Sequence, residues 1–151
     1  MRQSISIRVK LFCTALIILA VTAGCGGGGG GDSTPPTIAN ATATLPVDFS
    51  FDGGDVSITA SVSDSGGVNE VHAVVTRPDG SNDPSPVTMT LNSEGLFAAT
   101  YTATINTRED GEPETYTIVV SATDNAGNLG NSTAFQFQVP APELPGDDEP
   151  F

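Results

Sequence analysis

Apolar and polar residues alternate with a period of two along most of the chain after residue 37. In the segment 56–63, every second position is valine, isoleucine or alanine, and serine or threonine stands between them. Tyr116, Ile118, Val120 and Ala122 repeat this spacing. A period of two places alternate side chains on one face of a β-strand, and no stretch shows the 3.6-residue period of a helix. The pattern therefore predicts an all-β domain.

Glycine, proline, asparagine and aspartate interrupt the alternation every 8 to 12 residues. Turn residues at this spacing are typical of a sandwich or barrel. The sequence predicts seven strands, at residues 37–43, 56–63, 68–76, 87–91, 97–105, 116–122 and 133–139. We expect one antiparallel β-sandwich.

Three motifs carry a resemblance to a known family: TPPTI at 34–38, SDSGGV at 63–68 and YTIVVSATDNAGN at 116–128. With them the chain resembles bacterial immunoglobulin-like domains, which are related in shape to fibronectin type III and cadherin modules. The resemblance implies an immunoglobulin-like sandwich over residues 35–139, and it implies that Tyr116 is a structural tyrosine corner. The cysteine pair and the tryptophan of antibody domains are missing from the sequence.

The first 25 residues have the order of a secretory signal. Three basic residues precede Leu11, an apolar run covers 11–21, and Thr22-Ala23-Gly24-Cys25 follows. The run is about half as long as the roughly 20 residues that span a bilayer. The last four residues resemble the lipobox of bacterial lipoproteins, which implies cleavage of residues 1–24 and a covalent lipid on Cys25. An ordinary secreted protein cut after Ala23 or Gly24, with a free thiol, is the alternative.

Glycine fills positions 26–31, so residues 25–34 are predicted to be a lipidated cysteine followed by a flexible stem. The acidic, proline-rich residues 140–151 are predicted to be a disordered tail. Multiple acyl chains would make attachment to the membrane effectively permanent. Gly26 stands where many Gram-negative lipoproteins of the inner membrane carry aspartate, so the resemblance favours the outer membrane.

The charge of the chain argues against nucleic-acid binding, and its cysteine content argues against a disulfide. Three of the five basic residues precede Cys25, so the mature chain has two basic residues against eighteen acidic ones, a net charge of −16. Such a chain lacks the basic patch that binds nucleic acid. Cys13 lies in the signal and Cys25 at its end, which leaves no pair for a disulfide. We expect a monomer whose partner is a protein of the envelope or the cell exterior.

No catalytic constellation is visible in the sequence. The single histidine, His72, lies in a predicted strand between Val71 and Ala73, and no motif that combines a nucleophile with an orienting acid surrounds it. We therefore expect a non-enzymatic, lipid-anchored envelope protein whose domain is a structural or protein-interaction module. An adhesin or carbohydrate-recognition module is the alternative. Its usual exposed aromatic side chains are scarce here, because the chain has seven phenylalanines, two tyrosines and no tryptophan.

Calcium is the most specific candidate ligand, because aspartates and asparagines in loops supply the oxygens that it prefers. Cadherin-like modules, which the chain resembles in shape, bind calcium at domain ends. If the strands alternate up and down, the candidate residues share the end at which the chain enters the domain. The alternative is that they only stabilise turns, and it is favoured because their spacing matches no EF-hand loop. The candidates are Asp32, Asp64, Asp124, Asn125 and Asn128.

Overall fold

The computed structural model describes residues 31–83 and 85–142. The predicted signal peptide, Cys25 and most of the predicted stem and tail lie outside the described residues. The described part has no helix, and hence none long and apolar enough to span a membrane. Its strands are β1 (Thr37–Thr44), β2 (Gly54–Ser63), β3 (Val68–Thr76), β4 (Val87–Thr88), β5 (Thr90–Leu91), β6 (Phe97–Ala103), β7 (Glu114–Asp124), β8 (Leu129–Asn131) and β9 (Phe135–Val139).

Two antiparallel sheets form a β-sandwich. One sheet has the order β1-β2-β6-β5, and the other has the order β4-β3-β7-β8 with β9 also on β7. Strands β8 and β9 pair with successive parts of β7, at 121–123 and 114–118, so together they form one interrupted edge strand. The two orders match the strand sets A-B-E-D and C-F-G of an immunoglobulin constant-type sandwich, with β4 added beside β3. The all-β sandwich prediction is confirmed.

The core follows the period-two pattern. Val56, Ile58 and Ala60 of β2 are fully buried, as are Ile118 and Val120 of β7. The residues between them face outward, with serine and threonine at most of these positions. Full burial of a valine or isoleucine side chain contributes about 1.5–3 kcal/mol. The core of the described sandwich is therefore built from the alternation visible in the sequence.

The strand prediction was wrong at one predicted strand and at one predicted loop. The predicted strand 87–91 is divided into β4, which pairs with β3, and β5, which pairs with β6 in the other sheet. The chain changes sheets at Met89, whose side chain is buried and whose N–H donates to the carbonyl of Val71 at 2.8 Å. Residues 129–131, predicted as loop, form β8 against β7.

Tyr116 is buried and stacks on Phe137, with ring centroids 4.9 Å apart. Its hydroxyl shares a hydrogen bond of 2.8 Å with the hydroxyl of Thr104. A tyrosine corner bonds to the backbone a few residues upstream, whereas this bond is made to a side chain twelve residues upstream. Its role is structural, as predicted, but the contact differs.

Loops gather at both ends of the sandwich. At one end the Asn106 N–H donates to the Phe51 carbonyl at 2.8 Å, and the Asn106 amide donates to the Pro140 carbonyl at 3.0 Å. At the other end, residues 31–36, which we call the lead-in segment, lie against the β7–β8 loop. A Cβ on Gly130 would collide with the Pro36 carbonyl, so glycine permits this close approach.

Candidate metal centre

Three aspartates converge at the end of the sandwich where the lead-in segment lies. Asp32 belongs to the lead-in segment, Asp64 to the β2–β3 loop, and Asp124 is the last residue of β7. Each offers a carboxylate oxygen, and the three oxygens lie within 4.8 Å of one another. We call this group the carboxylate cluster. It brings together three of the five residues that the sequence singled out as calcium candidates.

Asp124 is held rigidly. The residue is 1% exposed, and its Oδ1 accepts hydrogen bonds of 2.8 Å from the N–H groups of Ala126 and Asn128. Its Oδ2 accepts one of 2.7 Å from the Asn128 amide. Burial opposes ionisation, but the hydrogen bonds from Asn128, Ala126 and Gly127 together lower the pKa of Asp124 below its ordinary value. The carboxyl is therefore ionised at neutral pH.

Asp64 is fixed by the turn that it begins. Its Oδ1 accepts a 2.7 Å hydrogen bond from the Gly66 N–H, the side-chain-to-backbone bond of an Asx turn. The turn is attached to the β7–β8 loop, because the Asn125 amide donates to the Gly66 carbonyl at 2.9 Å and the Asn125 N–H donates to the Gly67 carbonyl at 3.1 Å. Gly67 has a φ of 90°, which favours glycine.

Asp32 has an unpartnered oxygen. Its Oδ1 accepts a 2.9 Å hydrogen bond from the Thr34 N–H, but its Oδ2 is buried and has no hydrogen-bond partner. Buried polar atoms of proteins are almost always paired with a donor, an ordered water or an ion. A buried carboxylate oxygen without a donor, placed beside two more carboxylates, has the chemistry of a cation ligand.

Gly66 leaves space beside this oxygen. A Cβ at position 66 would collide with Asp32 Oδ2 and would lie 3.3 Å from Asp64 Oδ1. The φ of Gly66 is outside the left-handed region, so the turn itself does not require glycine here. The sequence gives no signal for this role, because the neighbouring Gly67 explains the glycine pair as a turn.

The two asparagine candidates position the aspartates through their amide nitrogens. Asn128 Nδ2 donates both to Asp124 Oδ2 at 2.7 Å and to the Asp32 carbonyl at 3.0 Å. Both partners are acceptors, which fixes the orientation of the amide. Asn125 is committed in the same way to the Gly66 carbonyl. The structure therefore places these side chains as supports around the three carboxylates.

No basic side chain balances the cluster within the described residues. Their salt bridges join His72 to Glu70, Arg77 to Asp83 and Arg108 to Asp110, all outside it. Calcium binds oxygen at 2.3–2.6 Å, so oxygens of one shell lie at most about 5.2 Å apart. The three carboxylate oxygens, which lie within 4.8 Å of one another, meet this limit and have the donor chemistry of a calcium site.

The remaining candidate chemistry lies on the surface. His72 is a strand residue with a side chain 34% exposed, 3.3 Å from Glu70 Oε2, and it lies on the surface of the sheet as predicted. Two shallow depressions have volumes of about 330 Å³ each. The depression that Arg77 and Glu114 help to line lies at the end of the sandwich opposite the carboxylate cluster.

No family model matches the chain, and no curated protein matches it either.

Proposed function

We propose that this chain is a lipid-anchored, non-enzymatic module of the bacterial cell envelope whose sandwich binds one calcium ion at the end where the lead-in segment lies. In this proposal the domain serves as a structural or protein-interaction module, and the ion is part of its folded structure. The observation that carries the calcium assignment is the buried, unpartnered Asp32 Oδ2 beside the carboxylates of Asp64 and Asp124.

The donor set supports a hard divalent cation. All three side chains offer carboxylate oxygens, and the cluster contains neither histidine nor cysteine. Soft or borderline metals such as zinc prefer nitrogen and sulfur ligands, whereas calcium and magnesium prefer oxygen. The spacing of the cluster is compatible with calcium, which takes six to eight oxygens and adapts to irregular geometry. Water would complete a shell that three carboxylates begin.

The anchor rests on the signal sequence. Cys25 follows a charged, an apolar and a small-residue segment, in the order of an export signal. Asp32 comes seven residues after Cys25, so the proposed ion lies close in sequence to the proposed lipid. An exported chain also meets higher calcium concentrations than a chain in the cytoplasm, which suits a site of moderate affinity.

Calorimetric titration of the full chain tests the calcium assignment. After chelator treatment we expect one equivalent of calcium to bind, and magnesium to bind more weakly. Asp124→Asn should weaken binding by at least the roughly 10- to 100-fold that loss of a second-shell partner costs. Asp48→Asn is the matched control, because Asp48 is exposed and lies in the loop before β2. Absence of calcium binding at 10 mM would overturn the assignment.

Intact-mass measurement tests the anchor separately. We expect the mature chain to begin at Cys25 and to carry the mass of a diacylglycerol group and further acyl chains. Cys25→Ala should abolish the added mass and the membrane association. A mature N-terminus at Gly24 or Cys25 with an unmodified thiol would refute lipidation and leave the calcium site untouched.

A further inference from the structure

Asp32 differs from the other two carboxylates in how it is attached. Asp64 and Asp124 lie directly at the ends of β2 and β7, inside the sandwich, whereas Asp32 lies five residues before β1 in the lead-in segment. The sandwich itself thus provides two ligands, and the segment that leads from the predicted stem provides the third. An ion bound to all three would cross-link that segment to the sandwich.

We propose that calcium fastens the lead-in segment to the sandwich, so that occupancy of the site decides where the folded domain begins. This inference rests on the proposed calcium site. With the ion bound, the fold begins at Asp32. Without it, Asp32 leaves the cluster, and the fold begins at Pro36, where close packing against Gly130 retains the chain.

The hydrogen bonds of the three residues indicate which one moves. Asp124 accepts three hydrogen bonds from the β7–β8 loop, and Asp64 is held by its own turn. The carboxylate of Asp32 accepts only from Thr34, which belongs to the same lead-in segment. Asp32 has one hydrogen bond to the sandwich, in which the Asn128 amide donates to the Asp32 backbone carbonyl at 3.0 Å. Repulsion among three carboxylates is therefore relieved most easily by release of Asp32.

Release of the lead-in segment lengthens the tether. Six residues separate Cys25 from Asp32, and ten separate Cys25 from Pro36. Calcium also neutralises part of the negative charge at the end of the domain where the lead-in segment lies.

Hydrogen–deuterium exchange of the full chain, read by mass spectrometry, tests the clamp. We expect millimolar calcium to slow exchange of the amides of Ser33 and Thr34 at least tenfold relative to chelator. A peptide covering β6 should not change. Asp48→Asn should behave as the native chain does.

Two variants distinguish the clamp from calcium binding alone. Asp32→Asn removes the charge from the lead-in segment, so it should weaken calcium binding and abolish the calcium effect on exchange. Gly66→Ala places a methyl group where Asp32 Oδ2 lies, in a turn whose backbone accepts alanine, and should have the same two effects.

The outcomes separate the two proposals. If native protein binds calcium and Asp32→Asn binds it equally well, the clamp is wrong and the calcium site stands on Asp64 and Asp124. Equal protection of Ser33 and Thr34 with and without bound calcium also overturns the clamp. If no variant and no native chain binds calcium, both proposals are wrong.

Discussion

Thermal unfolding in calcium measures the site through its effect on stability. A ligand that binds only the folded state stabilises it by RT ln(1 + [L]/Kd). Calcium sites of extracellular modules have Kd values of roughly 10⁻⁴ to 10⁻³ M. At 10 mM free calcium, the stabilisation is therefore about 1.4–2.7 kcal/mol.

The expected shift in melting temperature follows from the size of the fold. The described sandwich spans residues 31–142. For a domain near this size, 1 kcal/mol corresponds to about 4–5 °C. We therefore expect calcium to raise Tm by about 6–13 °C, measured by circular dichroism or calorimetry against chelator. Asp64→Asn should lose this shift, and Asp48→Asn should keep it.

Ionic strength is the necessary control, because a strongly acidic chain gains stability from any cation that screens its charge. Sodium chloride at matched ionic strength should raise Tm by less than calcium does, and by the same amount in native protein and Asp64→Asn. A calcium shift no larger than the sodium shift would refute the site. So would a calcium shift that survives in Asp64→Asn.

Three further predictions concern hydrogen bonds and charge at the other end of the sandwich. Asn106 is 2% exposed and donates to the carbonyls of Glu112 and Pro140, so Asn106→Ala should lower the free energy of unfolding in urea by about 1–3 kcal/mol; unchanged stability would contradict this. Tyr116→Phe removes the hydroxyl bonded to Thr104 and should cost about 0.5–1.5 kcal/mol, and the loss should not add to that of Thr104→Val. The hydrogen bond from Arg108 lowers the pKa of Asp110 to about 2, so this carboxyl stabilises the fold above pH 3.8 and loses that effect as the pH falls through about 2. Arg108→Gln should return the pKa toward 3.8 in an NMR titration; a pKa still near 2 would show that Arg108 is not the cause.

The alternation of apolar and polar residues predicted most of the strands, because a strand that is buried on one face needs an apolar side chain at every second position. The segment VTMTL at 87–91 shows the limit of this reasoning. It alternates as regularly as β2, yet Val87 pairs with one sheet, and Leu91 pairs with the other and is 63% exposed. Which neighbour a strand bonds to depends on the path of the whole chain. Alternation shows which side chains are apolar, but it does not show which strand is the pairing partner.

Strand β8 shows a second limit. It has three residues, and the middle one, Gly130, is buried under the Pro36 carbonyl instead of contributing a side chain. A strand of this kind is stabilised by backbone pairing with β7 and by close approach of another segment. Its sequence is typical of a loop because neither contribution requires a buried apolar side chain.

The sequence allowed the residues of the candidate site to be predicted, but it did not allow the distances between them to be predicted. Up-and-down strand order places Asp64 and Asp124 at the same end of the sandwich, and the chain must enter the first strand there as well. The approach of Asp32 to within 4.8 Å depends on Asn128, whose amide reaches a carbonyl 96 positions earlier. No spacing in the sequence encodes such a contact.

The structure also shows that turn stabilisation and metal binding need not exclude each other at these aspartates. In Asp32, Asp64 and Asp124 alike, Oδ1 accepts a backbone N–H of the local turn. Asp32 Oδ2 is without a partner, and Asp124 Oδ2 accepts only the Asn128 amide. A carboxylate has about four acceptor positions, so one oxygen can serve the turn while the other faces a cation.

Substitution by asparagine separates these two roles. The asparagine side-chain oxygen still accepts the turn hydrogen bond, but the negative charge that a calcium ion requires is gone. If the aspartates serve only turns, Asp64→Asn leaves stability nearly unchanged in calcium and in chelator. If they also bind an ion, Asp64→Asn is at least as stable as the native chain in chelator, where one repulsive charge has been removed, and less stable than the native chain in calcium. Such a reversal requires an ion at the cluster, because turn chemistry alone does not depend on calcium.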